Sequence, residues 1–157
     1  RFGATVMLNV LEHVRDPEAF LAHALRLLQP DGLLVIRVPN DFTPFQEAAW
    51  KATGERRRWW IARPDHINYF DFASLRSLLS ALGCEVVAES SDFPMELFLL
   101  LGMDYANEPA LGARCHEMRV RCEMALPPEL RRRIYAALAS AGVARNCMIA
   151  ARRRSAK

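Results

Sequence analysis

Long apolar runs are missing from this chain of 157 residues: LFLLLGM at 97–103 is the longest candidate. It falls far short of the roughly 20 residues needed to cross a bilayer, so no membrane is expected as a partner. No secretory signal pattern stands out either. A large charge excess is missing as well. A formal net charge of +3 does not argue for nucleic acid. Paired CxxC spacing is absent. Cys84, Cys115, Cys122 and Cys147 each sit in an apolar or helical pattern and are expected as buried free thiols in a reducing, cytoplasmic setting. His13, His23, His66 and His116 form no HExxH-like pattern, and Cys115-His116 with Cys122 lacks the close pair spacing of a zinc site. No metal is therefore expected. Internal repeats and low-complexity linkers are also lacking. What is present, 52% hydrophobic and 25% charged residues, is the balance of one soluble domain spanning 1–157. Arg1 rather than Met opens the chain and a core-type strand follows almost at once, as in a fragment or a processed form.

Ala4 to Leu8 is a continuous apolar run, the pattern of a strand buried on both faces of a parallel sheet. Asp16 supplies an N-cap and Pro17 the first helical position. Phe20, Leu21, Ala24, Leu25 and Leu28 then recur at helical spacing as far as Gln29, where Pro30-Asp31-Gly32 stops the helix. LLVIRV at 33–38 is a second buried strand, broken by Pro39-Asn40. Strand, helix, strand is a βαβ unit, which predicts a parallel α/β domain. Thr43, Pro44 and Gln46 form a capping box opening a short helix to Thr53. Asp71 caps another helix, with Leu75, Leu78, Leu79 and Leu82 on one face and Gly83 at its end. CEVVAES at 84–90 reads as a third strand, helices follow over 111–125 and 129–141, and ARNCMIAARR at 144–153 is a fourth strand with a solvated basic tail.

In open α/β sheets, ligands bind beyond the carboxyl ends of the strands. That rule brings Asn9, Glu12 and His13 to one crevice with Pro39, Asn40 and Asp41. Glu12 and His13 either serve the crevice or merely order the turn. Arg56, Arg57 and Arg58 beside Trp59 and Trp60 either clamp an anionic group by pairing and stacking, or form a solvated lid over the core. His66, just before Asn68 and Tyr69, either accepts a proton in the crevice or hydrogen-bonds structurally. Phe93, Pro94 and Met95 read as packing, but Glu96 among apolar neighbours needs a partner or a ligand.

LNVLEHVRDPEAFLAHALRLLQPDGLLVIRVPN resembles the second half of a class I S-adenosylmethionine-dependent methyltransferase of the ubiquinone-biosynthesis-type group, with a VLEHV stretch, a DPE helix start and a PN-ended strand in succession. HINYFDFASLRSLLSALGCEVV is similar to that group's H-x-x-x-F, helix, glycine and strand continuation. The resemblance implies a Rossmann-like fold with flanking helices, whose seven strands are ordered 3-2-1-4-5-7-6 with the last antiparallel. The chain would form the mostly parallel half-sheet 4-5-7-6. The glycine-rich loop after the first strand and the acidic residue ending the second, which hold the cofactor, have no counterpart here, and Gly3 stands where the group usually has Asp.

Carried over by position, the resemblance implies that Leu8, Asn9, Glu12 and His13 line S-adenosylmethionine. Asn40, Arg57, Asn68, Phe93, Met95 and Glu96 would bind the acceptor, a small or sugar-containing and preferably anionic molecule. Methyl transfer is an in-line displacement from a sulfonium, so the protein positions the acceptor and takes a hydroxyl proton, a task for His66 or His13. The alternative is a non-catalytic methyltransferase-like binding or assembly module. Half a sheet leaves an apolar edge at residues 4–10, which predicts a homodimer or poor solubility.

Overall fold

A computed structural model describes residues 1–54 and 56–154. Glu55, at the head of the Arg-Trp segment, and the end of the basic tail at 155–157 lie outside the described residues. The elements run β1 (Phe2–Leu8), α1 (Pro17–Leu27), β2 (Leu28–Pro39), α2 (Pro44–Ala52), α3 (Phe72–Ala81), β3 (Cys84–Ser90), α4 (Glu96–Leu100), α5 (Pro109–Ala125), α6 (Pro128–Ser140) and β4 (Asn146–Arg153), with a 3-10 turn at Leu11–His13 between β1 and α1.

Local chemistry sets the helix starts. The Asp16 carboxylate accepts from the Ala19 amide at 2.9 Å, satisfying one of the free N–H groups of α1. Thr43 with Gln46, and Asp71 with Ser74, close reciprocal capping boxes on α2 and α3. Helix α1 ends at Leu27, earlier than its apolar spacing predicts. Leu28 is drawn into β2 and pairs with Phe2, ahead of a register shift in β1 between Phe2 and Ala4. Gly32 makes the close approach possible: a Cβ there would stand 3.1 Å from the carbonyl oxygens of Phe2 and Gln29.

The sheet order is β1-β2-β4-β3. β1 pairs with β2 in parallel, while β4 runs antiparallel to both β2 and β3. β1, β2 and β3 thus share a direction, but two of the three pairings are antiparallel, and the expectation of a mostly parallel sheet is corrected to a mixed one. Register places Met7, Ile36 and Ile149 in one row across the sheet, flanked by Leu34 beside Ala151 and Val38 beside Cys147. This face is buried against Leu21, Ala24 and Leu25 of α1 and Leu75 and Leu79 of α3.

The expected double burial of β1 is not found. Val6 and Leu8 are 58% and 56% exposed, because β1 is the sheet edge and the helices roof only the Met7 side at this end. An apolar run states that a strand is apolar; it does not say how many faces are covered. Beyond β3, Met95, Phe98 and Cys115 make a second, smaller core, for which α4 is an element that the apolar segment did not announce. All four thiols are free. Cys84, Cys115 and Cys147 are buried, but Cys122 is exposed on α5, against expectation. Among the described residues no helix is long and apolar enough to cross a membrane.

Candidate functional site

The site grows from the carboxyl ends of β1 and β2. Asn9 ends β1 in the left-handed region, at φ 55°, a conformation Asn tolerates better than most residues. Its amide donates to the Arg37 carbonyl at 2.8 Å and so stays attached to β2. The chain then tightens into the 3-10 turn, which buries Leu11 and Glu12. A distant loop docks on this turn: the amides of Ile67 and Asn68 both donate to the Glu12 carbonyl, at 2.9 and 3.1 Å. The Asn68 side-chain amide donates to the carbonyls of Leu11 and Val14. His13 Nδ1 lies 2.7 Å from the Asp65 carbonyl oxygen. These bonds bring Glu12, His13 and His66 together, with one possible ligand atom from each lying within 4.8 Å of the others.

On the β2 side a cavity of about 300 Å³ opens, walled by Asn9, Asp41, Trp60, His66, Glu96 and Arg145 among others. Because β4 is antiparallel, its first residues lie beside the carboxyl end of β2, which is how Arg145 and Asn146 reach this edge. Asp41 is buried, and its amide donates to the Phe70 carbonyl at 2.7 Å. Burial pushes its carboxyl up to about 7; a hydrogen bond with the Gln46 side chain opposes this, Glu12 and Glu96 add to it, and Arg145 lowers it. Glu96 is likewise raised by burial, with its own backbone amide and Arg145 pulling the other way. One oxygen of Asp41, one of Glu96 and both of Glu12 are buried without a hydrogen-bond partner, as are Trp60 Nε1 and His66 Nδ1. Those of Asp41, Glu96, Trp60 and His66 surround one opening, as polar atoms of a ligand site do before the ligand pairs with them. Next to Asp41, Phe42 adopts φ 58°, a strained conformation for a bulky side chain, and packs edge-on against Trp60 and Tyr69.

The expected site residues divide. Asn9, His66 and Glu96 line the cavity. Leu8 is exposed on the edge strand, while Glu12 is 1% exposed and faces His13 and His66 instead of open solvent. The Asn40 amide donates to the carbonyls of Gly142 and Ala144, and its oxygen accepts from the Cys147 thiol. The Asn68 amide likewise bonds to the 3-10 turn. Arg57 is exposed and away from the cavity. Its neighbour Arg58 stacks over Trp50 and pairs with Glu47, which fits the lid reading of this segment. Phe93 and Met95 border an adjacent cavity of about 430 Å³ with Arg37, Arg119 and Arg145, and also pack in the small core.

Asp41 was legible as a crevice residue, and its burial singles it out among them. Arg37, Gln46, Arg145 and Asn146 carried no local signal, because each reaches the cavity only through strand pairing or capping.

Chemically, the cavity offers a carboxyl with its proton affinity near neutrality, an imidazole, an aromatic wall and two guanidiniums, enough to hold a polar small molecule and accept a proton from it. Among curated proteins none matches this chain significantly. A family model described as "Methyltransferase domain" matches residues 1–89, which is β1 through nearly all of β3 and more than half of the sequence. A methyl-transfer enzyme requires an acceptor pocket at the carboxyl edge of such a sheet, and with that match the chain belongs to the methyltransferase domain family.

Proposed function

We infer that the chain is the acceptor-side half of a class I S-adenosylmethionine-dependent methyltransferase acting on a small molecule. In this reading β1, β2, β3 and β4 are strands four, five, six and seven of the seven-stranded sheet, and the order β1-β2-β4-β3 with β4 antiparallel supports it. The observation that carries the proposal is the cavity at the ends of β1 and β2, with unpartnered carboxyl oxygens on Asp41 and Glu96.

The cofactor supplies a methyl group activated on a sulfonium. Leu8, exposed at the end of the edge strand, and Asn9 fit one flank of it. The glycines of this chain are isolated and offer no wrapping loop, so these residues alone make a partial cradle. Acceptor positioning falls to Asn9, Glu96 and the Trp59-Trp60 wall, and proton acceptance to His66 or Asp41. An anionic group on the acceptor meets Arg37 and Arg145, in place of Arg57.

The isolated glycines also favour a second reading, a methyltransferase-like binding or assembly module without turnover. Calorimetric titration with S-adenosylmethionine of this chain and of the product of its whole coding sequence separates the two. Binding by the longer product supports the enzyme, and absence of binding by both sinks it. For this chain alone, the unpaired outer edge of β1, with Phe2, Val6 and Leu8 exposed, supports a homodimer; a soluble monomer by light scattering would overturn that part.

A further inference from the structure

We propose that the cavity of about 430 Å³ beside the acceptor cavity binds a phosphoryl group, carried as a phosphomonoester at the far end of the acceptor. The two cavities share Arg37, Arg145 and Asn146, so a ligand in one reaches the wall of the other. No single stretch of sequence announces the second cavity, because its wall is drawn from β2, the segment after β3, α5 and the entry to β4.

The charge on this wall is unbalanced. Among the described residues, the guanidiniums of Arg37, Arg119 and Arg145 line it against the one carboxylate of Asp92. That carboxylate is already engaged. It accepts from the Asn146 backbone amide at 3.0 Å and from the Asn146 side-chain amide, and it lies 3.4 Å from Arg37. Arg145 forms no ion pair among the described residues. Like charges gathered around a hollow repel one another, and the field they focus there draws in an anion that relieves the repulsion.

The donors on the wall point the same way. Arg119 is held by Glu123 Oε2 at 2.6 Å and donates to His116 Nδ1 at 3.2 Å. A guanidinium can only donate, so the His116 hydrogen sits on Nε2, a second donor on a ring that lines the cavity. These two bonds leave further N–H groups of Arg119 for a ligand. The Tyr105 hydroxyl, in the same wall, is buried without a hydrogen-bond partner. Burial, with Glu96 adding to it, raises the Tyr105 pKa against the pull of Arg145, so the hydroxyl keeps its proton and donates.

A wall of donors calls for a ligand made of acceptors. A phosphoryl group carries about −1.5 to −2 charges at neutral pH on three acceptor oxygens, which engages more than one guanidinium. A carboxylate brings a single charge and two oxygens. Planar guanidinium forks also match phosphate oxygens in pairs. Phe93, stacked on Phe98 at 5.4 Å, gives the body of the ester an apolar flank. Gly112 lies on the His116 and Arg119 face of α5, and a Cβ there would meet nothing within 4 Å, so the hollow stays open where a side chain would fill it. That the ester is the methyl acceptor rests on the methyl-transfer reading; the anion site itself does not.

The test is calorimetric titration of this chain with phenyl phosphate, inorganic phosphate and benzoate, separately and in competition. One phenyl phosphate per chain is expected, displaced by inorganic phosphate, with benzoate about 10-fold weaker or more. Arg145→Ala should weaken phenyl phosphate by roughly 10-fold or more, and Gly112→Leu should abolish its binding by filling the hollow. Both variants should fold, because the Arg145 side chain is exposed and the space beside Gly112 is open. Arg57→Ala, outside the cavity, should change nothing. Absence of phenyl phosphate binding overturns the proposal, as does binding that survives Arg145→Ala and Gly112→Leu, that benzoate equals, or that inorganic phosphate fails to displace. Inorganic phosphate binding as tightly as phenyl phosphate would overturn the ester in favour of the free anion. S-adenosylmethionine binding by the longer product without phenyl phosphate binding sinks this site and keeps the methyl-transfer reading; phenyl phosphate binding without S-adenosylmethionine binding does the reverse.

Discussion

Residues 1–89 build three of the four strands and the helices that roof them, whereas residues 90–154 contribute a small core of three buried residues, two longer helices and one strand. That strand, β4, lies between β2 and β3, where it supplies Cys147, Ile149 and Ala151 to the main core. The second region also sends Glu96, Arg145 and Asn146 into the cavity opened by the first. The family match therefore stops where the chain stops being recognisable, at no boundary of the fold. The two regions share one sheet: without β4, β2 and β3 would lose the strand that pairs with both.

The largest expected effect tests this unity. Ile36→Ala in the matched region and Ile149→Ala outside it face each other across β2 and β4, both fully buried. Each should cost about 2–5 kcal/mol in denaturant unfolding, with a single cooperative transition. Two separate transitions would break the comparison. Met95→Ala, in the small core and 8% exposed, should fall at or below the low end of that range.

The next effect is a pH dependence within the shared cavity. Above pH 3.8 the unfolded Asp41 carboxyl ionises, while in the fold it keeps its proton to about pH 7. The stability carried by this proton is complete below the unfolded value and is lost as pH rises through about 7, a span corresponding to a few kcal/mol. Asp41→Asn should flatten that part of the stability curve. Parallel curves for the variant and its parent between pH 4 and 8 would remove Asp41 from the account.

Asn40→Ala cuts the side-chain bonds that tie the end of β2 to the segment entering β4. A loss of about 1–3 kcal/mol is expected from the buried carbonyls left unpaired. Smallest of all, Arg57→Ala should move stability by less than about 0.5 kcal/mol and leave acceptor kinetics alone, since the side chain is exposed and outside the cavity. A raised acceptor Michaelis constant would restore the clamp reading of the arginine run.

Much of the framework was legible. β3 over 84–90, the capping boxes at Thr43 and Asp71 and the cap at Asp16 rest on interactions within a few residues, which the sequence displays directly. The crevice at Asn9 and Asp41 was legible through a general rule of strand ends. The structural bonds of Asn40 and Asn68 were not legible, because their carbonyl partners come from more than fifty positions away.

By itself, then, the sequence determined the alternation of strands and helices, their caps and the family to which residues 1–89 belong, because periodicity and capping are short-range. Tertiary structure alone decided that Val6 and Leu8 would be exposed on one face of β1, and that Glu12, His13 and His66 would meet. These outcomes depend on which distant backbone groups pair, and pairing partners leave no local trace in the residues that accept them.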